Sequence, residues 1–261
     1  MKKLFLTIAL VAGLASSSFG ATSAQTKFLY HCNGEDAATS GTSDDAGART
    51  ITFGGGAALT TTYKVFGTAG LYLPYASSSY LSIPADEVWN LGSNDFTFDC
   101  RAYWISLPSY ALHQTFVSQY VNSKYYWRLF IIGDVGGATF LGLLEKSGGS
   151  FVINVSSTST GLTSGGWHHI AFVRATDTLY YFVDGNLISY STVSTSIGVT
   201  PYTSTLCLGS LNNGGDSNFK GYMDEIRLVI GSAEWTTAFT PPTEEYSFAE
   251  AASTSDFFSL F

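Results

Sequence analysis

Residues Gly166–Gly185, GWHHIAFVRATDTLYYFVDG, hold two segments in which neighbouring side chains take opposite faces. Ile170 and Phe172 alternate with Ala171 and Val173, and Leu179, Tyr181 and Val183 alternate with Tyr180, Phe182 and Asp184. The polar turn Arg174-Ala175-Thr176-Asp177 separates the two, and Asp184-Gly185 ends the second with a hairpin signal. A period of two, carried by β-branched and aromatic residues between such turns, predicts antiparallel hairpins rather than helix.

The same pattern extends in both directions at intervals of roughly ten residues, as in a sandwich. It predicts strands at Lys27–Cys32, Thr50–Phe53, Leu71–Pro74, Tyr80–Ile83, Asp95–Ile105 and Thr115–Val121. Further strands are predicted at Tyr126–Ile132, Phe140–Glu145, Phe151–Val155, Leu206–Leu208 and Tyr222–Ile230. Asn33–Ala48 reads as a long polar loop, and Asp86–Leu91 as a single helical turn. Charged residues make up 12% and aromatic residues 15% of the chain. That mixture suits sheets packed face to face and excludes disorder for most of the chain.

Lys2 and Lys3 followed by the apolar run Leu4–Leu14 have the layout of a signal peptide, with cleavage after Gly20 or Ala24. The run is too short to cross a bilayer, which needs about 20 apolar residues, so export is expected and membrane insertion is not. The expected organisation is a signal peptide over residues 1–24, one all-β domain over 25–243 and an acidic tail over 244–261. The expected location is secreted or cell-surface, the periplasm included. The net charge of −8, with no basic cluster, argues against nucleic acid and anionic membranes as partners. It is compatible with neutral sugars and divalent cations.

Cys32, Cys100 and Cys207 allow one disulfide and a thiol, or three buried thiols. Cys100 shares a strand face with Phe96, Phe98, Ala102 and Trp104, which favours the buried thiols. Zinc is not expected, because alternation points the adjacent His168 and His169 to opposite faces.

The Gly166–Gly185 stretch resembles the W-H-H-[IV]-A-x-V-R…Y-x-D-G hairpin of the laminin-G-like branch of the concanavalin A-like jelly rolls. FLYHCNG (28–34) resembles that family's L-L-L-H-F-D-G opening strand, with Cys32 and Asn33 replacing Phe and Asp. Asp44-Asp45-Ala46-Gly47 resembles its D-S-S-G turn. Phe66-Gly67, SSSYLSIP (77–84) and NDFTFDCRAYW (94–104) resemble its F-G…Y-L-x-[IV]-P…D-F-T-[IV]-E-x-W series. FKGYMDEIRLVIGSAEWTTAFTPPT (219–243) resembles its F-x-G-x-I-D-E-[IV]-R-[IV]…A-x-[YW]-T-x-x-F-T-P-P-T segment. The resemblance implies an all-β, two-sheet antiparallel jelly-roll sandwich over about residues 27–243, with the first and penultimate strands paired. It fixes an architecture and leaves the ligand open.

Asp224-Glu225 falls mid-strand, where carboxylates need a partner. Arg227 or Arg101 could supply a salt bridge, hydrogen bonds alone could suffice, or calcium could bind. The family often places a structural calcium where the opening loop meets this strand. Carried over, that nominates Asn33, Asp44 and Asp224 as metal ligands, with Asn33 removing a charge.

Catalytic chemistry finds little support. The E-x-D-x-x-E of retaining glucanases is absent, and the acidic pairs are adjacent, so alternation splits them between faces. No G-x-S-x-G occurs, and His168-His169 is expected to be structural, one ring bonding across the sheet. Two stretches have the composition of sugar sites: Tyr120, Tyr125, Tyr126 and Trp127 as an aromatic platform, and Asn212, Asn213, Asp216 and Asn218 as a polar loop. The same residues would otherwise pack the sandwich and form turns. The function expected is a non-enzymatic recognition module for glycans or surface polymers. The alternatives are a self-associating surface, fibre or virion decoration protein, and a glycoside hydrolase.

Overall fold

The computed structural model describes residues 21–22, 25–43, 47–74, 78–197 and 204–248. Asp44, most of the expected leader and residues 249–261 lie outside these segments. Two antiparallel sheets enclose one main core. The front sheet runs Ser150–Ser156 (β12), Thr139–Ser147 (β11), Tyr125–Gly133 (β10), His113–Asn122 (β9), Leu206–Leu208 (β16), Tyr80–Ile83 (β7), Thr50–Gly54 (β4) and Ser40–Thr42 (β3). The back sheet runs Asn186–Thr192 (β15), Thr178–Val183 (β14), Trp167–Ala175 (β13), Phe96–Trp104 (β8), Gly221–Ile230 (β17), Gly70–Leu73 (β6) and Ala58–Thr60 (β5). Thr26–Tyr30 (β2) pairs with β17, as expected of the first and penultimate strands. Ala21–Thr22 (β1) lies parallel to Ser247–Phe248 (β18). The expected helical turn is a 3-10 turn at Glu87–Trp89, whose first turn is capped by the Asp86 carboxylate accepting from the Val88 N–H.

The deciding stretch folds as read. β13 and β14 pair from Ile170–Val183 to Ala175–Thr178, and Asp184 (φ 51°) and Gly185 (φ 75°) turn β14 into β15. Two successive positive φ values make the primed hairpin turn whose twist matches the strands. A Cβ on Gly185 would lie 2.0 Å from the Phe239 carbonyl oxygen. Gly185→Ala is therefore expected to destabilise the domain by roughly 1–3 kcal/mol in urea titrations, with Asn186→Ala as the neutral control.

Inward faces form the core. Phe98, Cys100, Trp104, Ile170, Phe172 and Tyr181 meet Phe116, Trp127 and Leu129 of the front sheet. The rings interlock edge-on, with Trp104 and Phe116 at 6.0 Å and 84°. Burial of each such side chain contributes about 1.5–3 kcal/mol. All three cysteines are free and buried, and burial pushes the Cys207 thiol up to about 12.

Part of the back sheet's other face is also buried, which the sequence did not announce. Ala171, Val173 and Phe182 on that face lie beneath Trp235 and Phe239 of the C-terminal segment, whose rings stack at 3.9 Å. Between them sits an ionic network. Asp99, with no exposed surface, accepts from Arg227 Nε at 2.8 Å, lies 3.3 Å from His169 Nε2, and accepts from the Tyr246 hydroxyl. Arg227 also lies over the Tyr246 ring at 3.8 Å. The tail expected from Glu244 thus begins with residues that belong to the domain, because Tyr246 supplies a hydroxyl to Asp99 and a ring face to Arg227. His169 points outward to Asp99, while His168 lies 6.4 Å from the core ring of Trp104, so the two histidines do take opposite faces.

Candidate functional site

Two places gather chemistry-bearing side chains. The first is the acidic pair of β17. Met223, Ile226 and Leu228 all pack in the core, so Asp224 and Glu225 both face away from it. A register shift between Asp224 and Arg227, with Glu225 at φ 48°, produces this bulge. It corrects the expectation that alternation separates these two acids. The bulge lies where the neighbour of β17 changes from β6 to β2.

Asp224 fills the resulting gap in the ladder. Its carboxylate accepts N–H bonds from Val65 (2.6 Å), Phe66 (3.2 Å) and Glu225 (2.9 Å). Burial pushes its pKa up to about 7, against the lowering effect of the Val65 and Phe66 bonds. Asn33 is likewise engaged, its carbonyl accepting from Thr68 and its amide donating to Glu245 Oε1 at 2.6 Å. Asn33 and Asp224 thus both have hydrogen-bond partners within the protein, which is the second of the roles expected for them. Neither expected salt bridge forms at Asp224: Arg227 binds Asp99, and Arg101 donates to the Pro242 carbonyl.

A different trio converges beside them. His31 Nδ1 lies 2.7 Å from Glu225 Oε1, Tyr246 N–H donates to Glu225 Oε2 at 3.1 Å, and ligand atoms of His31, Glu225 and Glu245 all lie within 4.8 Å of one another. Two carboxylates and an imidazole could chelate a metal ion. Residues near the two chain ends would hold it, together with the bulge. Sequence reasoning missed Glu225 because it takes a bulge to aim it, and Glu245 because it was read as tail.

The second place is the outward face of the front sheet. Tyr126, Phe130, Leu144 and Leu211 form a second, small buried cluster there, against which packs the half-buried Tyr120, its ring 5.7 Å from that of Tyr126. Across it folds the loop Gly209–Lys220, fixed by its own polar groups. Ser118 Oγ donates to the Ser210 and Leu211 carbonyls, Gly214 N–H donates to Ser210 Oγ, and Thr115 N–H donates to the Ser217 carbonyl. Asn213 and Ser217 both adopt φ 54°. Serine-type turn bonds to Ser210 Oγ, from the Asn212 and Gly214 N–H groups, thus give a preformed loop.

Two recesses flank this loop. The smaller, about 140 Å³, is lined by Tyr120, Thr205, Cys207, Leu211, Asn212 and Asn213. The larger, about 500 Å³, lies between residues 106–114 and 215–220 and has Arg128, His113 and Gln114 at its base. Burial, followed by the neighbouring Arg128 charge, pushes His113 down to about 4, so its imidazole is neutral at pH 7.

Two of the expected stretches therefore meet. Tyr120 joins Asn212 and Asn213 at the small recess, and Asp216 and Asn218 line the large one. Of the other platform residues, Tyr126 turns outward beside Tyr120, whereas Trp127 and Tyr125 do not. Trp127 has no exposed surface and donates from Nε1 to Gln119 Oε1 at 3.0 Å, and Tyr125 packs against the core. Alternation along β10 is the reason: Trp127 points inward, so Tyr126, Arg128 and Phe130 point outward. Arg128 was legible as the one cation in YYWRLFIIG, yet only the folded loop shows what faces it.

A row of rings, Tyr72–Tyr222–Tyr103–Trp167, also crosses the back sheet in register. Tyr63 stacks on Tyr222 at 4.2 Å and 11°, so these faces are spent on each other as a cross-strand ladder.

A family model described as the concanavalin A-like lectin/glucanases superfamily matches residues 76–235. No curated protein matches the sequence significantly. Among solved structures, the chain is similar to domain 4 of AbnA, a GH43 extracellular arabinanase from Geobacillus stearothermophilus, in complex with arabinotriose. That likeness has 18% identity and a TM-score of 0.59, covering 80% of this chain and 94% of that one. It is also similar to the enzymatically active domain of bacteriophage CBA120 tailspike protein 2, at 18% identity and a TM-score of 0.54, covering 71% of this chain and 29% of that one. A structure of botulinum neurotoxin type C, whose cell entry is dependent upon interaction with two ganglioside molecules, is similar at 10% identity and a TM-score of 0.54, covering 78% of this chain and 47% of that one. These likenesses carry the fold. The chain belongs to the concanavalin A-like lectin/glucanases superfamily.

Proposed function

We propose that this superfamily member is an exported, non-enzymatic recognition module that binds glycans or surface polymers on the outward face of its front sheet. One observation carries the reading: the fold brings the half-buried Tyr120 ring to Asn212 and Asn213, on a loop already locked in shape. Sugar sites pair an apolar surface for the ring with fixed polar groups for the hydroxyls, and a preformed loop lowers the entropic cost of binding. The superfamily contains lectins as well as glucanases, and the arabinotriose-bound arabinanase domain shows that a sandwich of this kind can hold a sugar. Among the described residues, the large recess is lined by a single carboxylate, Asp216, whereas glycoside hydrolysis calls for two.

Glycan arrays with the purified chain, followed by calorimetry on the hits, test this directly. Saturable binding by a monomer, weakened by Tyr120→Ala and Asn212→Ala without a change in melting temperature, is expected. Self-association on size-exclusion chromatography without sugar binding would favour an adhesive or fibre component instead. Polysaccharide turnover lost on Asp216→Asn would make the protein an enzyme.

The trio His31, Glu225 and Glu245 is assigned to a structural divalent cation, calcium by family resemblance. An ion at about 100 times its dissociation constant stabilises by about 2.7 kcal/mol, which is roughly 5–10 °C for a domain of this size. Chelation is expected to lower the melting temperature by that amount, and calcium to restore it. Restoration by zinc alone would transfer the site to the imidazole's preferred ion, and an unchanged melt in chelator would remove the metal altogether.

A further inference from the structure

The arginines of this protein are not equally provided for. Arg227 has Asp99 at 2.8 Å, and Arg174 donates to the carbonyls of Thr176, Gly92 and Val193. Arg128 is 5% exposed, yet its one side-chain hydrogen bond among the described residues runs from Nη1 to the neutral Ser217 hydroxyl at 2.8 Å. Its Nε is buried with no partner, and its guanidinium lies 4.9 Å over the Phe130 ring. Among the described residues, no carboxylate lies within 4.0 Å of it. Buried charges are ordinarily paired, because desolvation without a counter-charge is costly. This one stands at the base of the 500 Å³ recess.

We infer that the large recess binds the carboxylate of an acidic sugar residue, with the Arg128 guanidinium as its counter-charge. The inference rests on the glycan-binding reading and adds the class of sugar. A guanidinium presents a planar fork of donors that a carboxylate matches with two parallel hydrogen bonds. Phe130 holds the fork from below, and Ser217 fixes one arm from the loop. Lys220 adds a second positive charge to the lining, on a chain with only 12 Lys and Arg in all. The opposing charge is Asp216, which is exposed and bonded to the Ser217 hydroxyl at 3.1 Å. His113 is neutral and donates or accepts without adding charge. The recess thus carries a net positive charge on an otherwise acidic protein.

Calorimetry at low salt with tri-galacturonic acid and its methyl ester tests the charge, since the two share ring and hydroxyls and differ in ionisation. The acid is expected to bind at least about tenfold more tightly than the ester, the range of a charge-assisted hydrogen bond. Arg128→Met should abolish that difference while the melting temperature holds or rises, because an unpaired buried charge has been removed. Asp216→Asn, at an exposed position, should raise the preference for acid over ester several-fold, and carries the test if Arg128→Met does not fold. Equal affinity for acid and ester, or acid binding indifferent to both substitutions, overturns the inference. If neutral glycans bind while the acid does not, the acidic-sugar assignment fails and the recognition module stands. If no glycan of either kind binds, both fail.

Discussion

Asp99→Ala is expected to cost about 3–5 kcal/mol of stability, the penalty for leaving a buried guanidinium without its partner. Asp99 and Arg227 are both almost fully buried, and the carboxylate also receives the Tyr246 hydroxyl. Burial alone would raise the Asp99 pKa, but the Arg227 charge and the His169 and Tyr246 bonds outweigh it and hold it below the usual carboxylate range. The sign of the pH effect follows from that depression. Its stabilising contribution is complete above the unfolded value of about 3.9 and disappears as pH falls through the lower folded value. Denaturant titrations should therefore show the gap between wild type and Asp99→Ala wide at pH 7 and narrowing below about pH 4. A gap that stays constant down to pH 2 would mean that Asp99 is not ionised in the folded protein. Substituting Tyr246 by Phe should reproduce part of the loss, since it removes one donor and keeps the ring over Arg227.

Trp127→Ala is expected to cost about 3–5 kcal/mol by leaving a cavity in the core. From sequence, Trp127 stands beside Tyr120 and Tyr125 as a sugar platform, yet it has no exposed surface and its indole N–H is taken by Gln119. The two roles separate in one experiment. A core residue lowers the melting temperature and the denaturation midpoint whether or not sugar is present, and Tyr120→Ala does neither. Trp127→Ala with unchanged stability and weakened glycan binding would return Trp127 to the surface and displace the front-sheet face as described.

How far the candidate site could be read ahead follows from the kind of signal each residue gives. Tyr120, Asn212, Asn213, Asp216 and Asn218 were legible because turn chemistry and polar loops announce themselves locally. Trp127 was misplaced because composition names an aromatic residue without giving its face, and the strand's register assigns that. Arg128 passed unnoticed because an unpaired charge is a statement about what surrounds it. Asn33 and Asp224 were nominated through resemblance, and the bonds to Thr68, Val65 and Phe66 that occupy them come from a loop about 35 residues from one and 160 from the other. Glu245 and Tyr246 looked like tail, since a short polar segment has no period of its own.

By itself the sequence determined the sheets, the hairpin at Asp184-Gly185, the buried thiols and the inward set Phe98, Cys100, Trp104, Ile170 and Phe172. Each depends on a two-residue alternation or a local turn, which chain geometry enforces residue by residue. Tertiary structure alone decided that a bulge turns Asp224 and Glu225 to one face, that the C-terminal segment seals Asp99 and Arg227, and that Arg128 lies under a loop with no carboxylate in contact among the described residues. Those outcomes arise from groups far apart in the chain, and burial and charge act through distance in space, which spacing along the sequence does not encode.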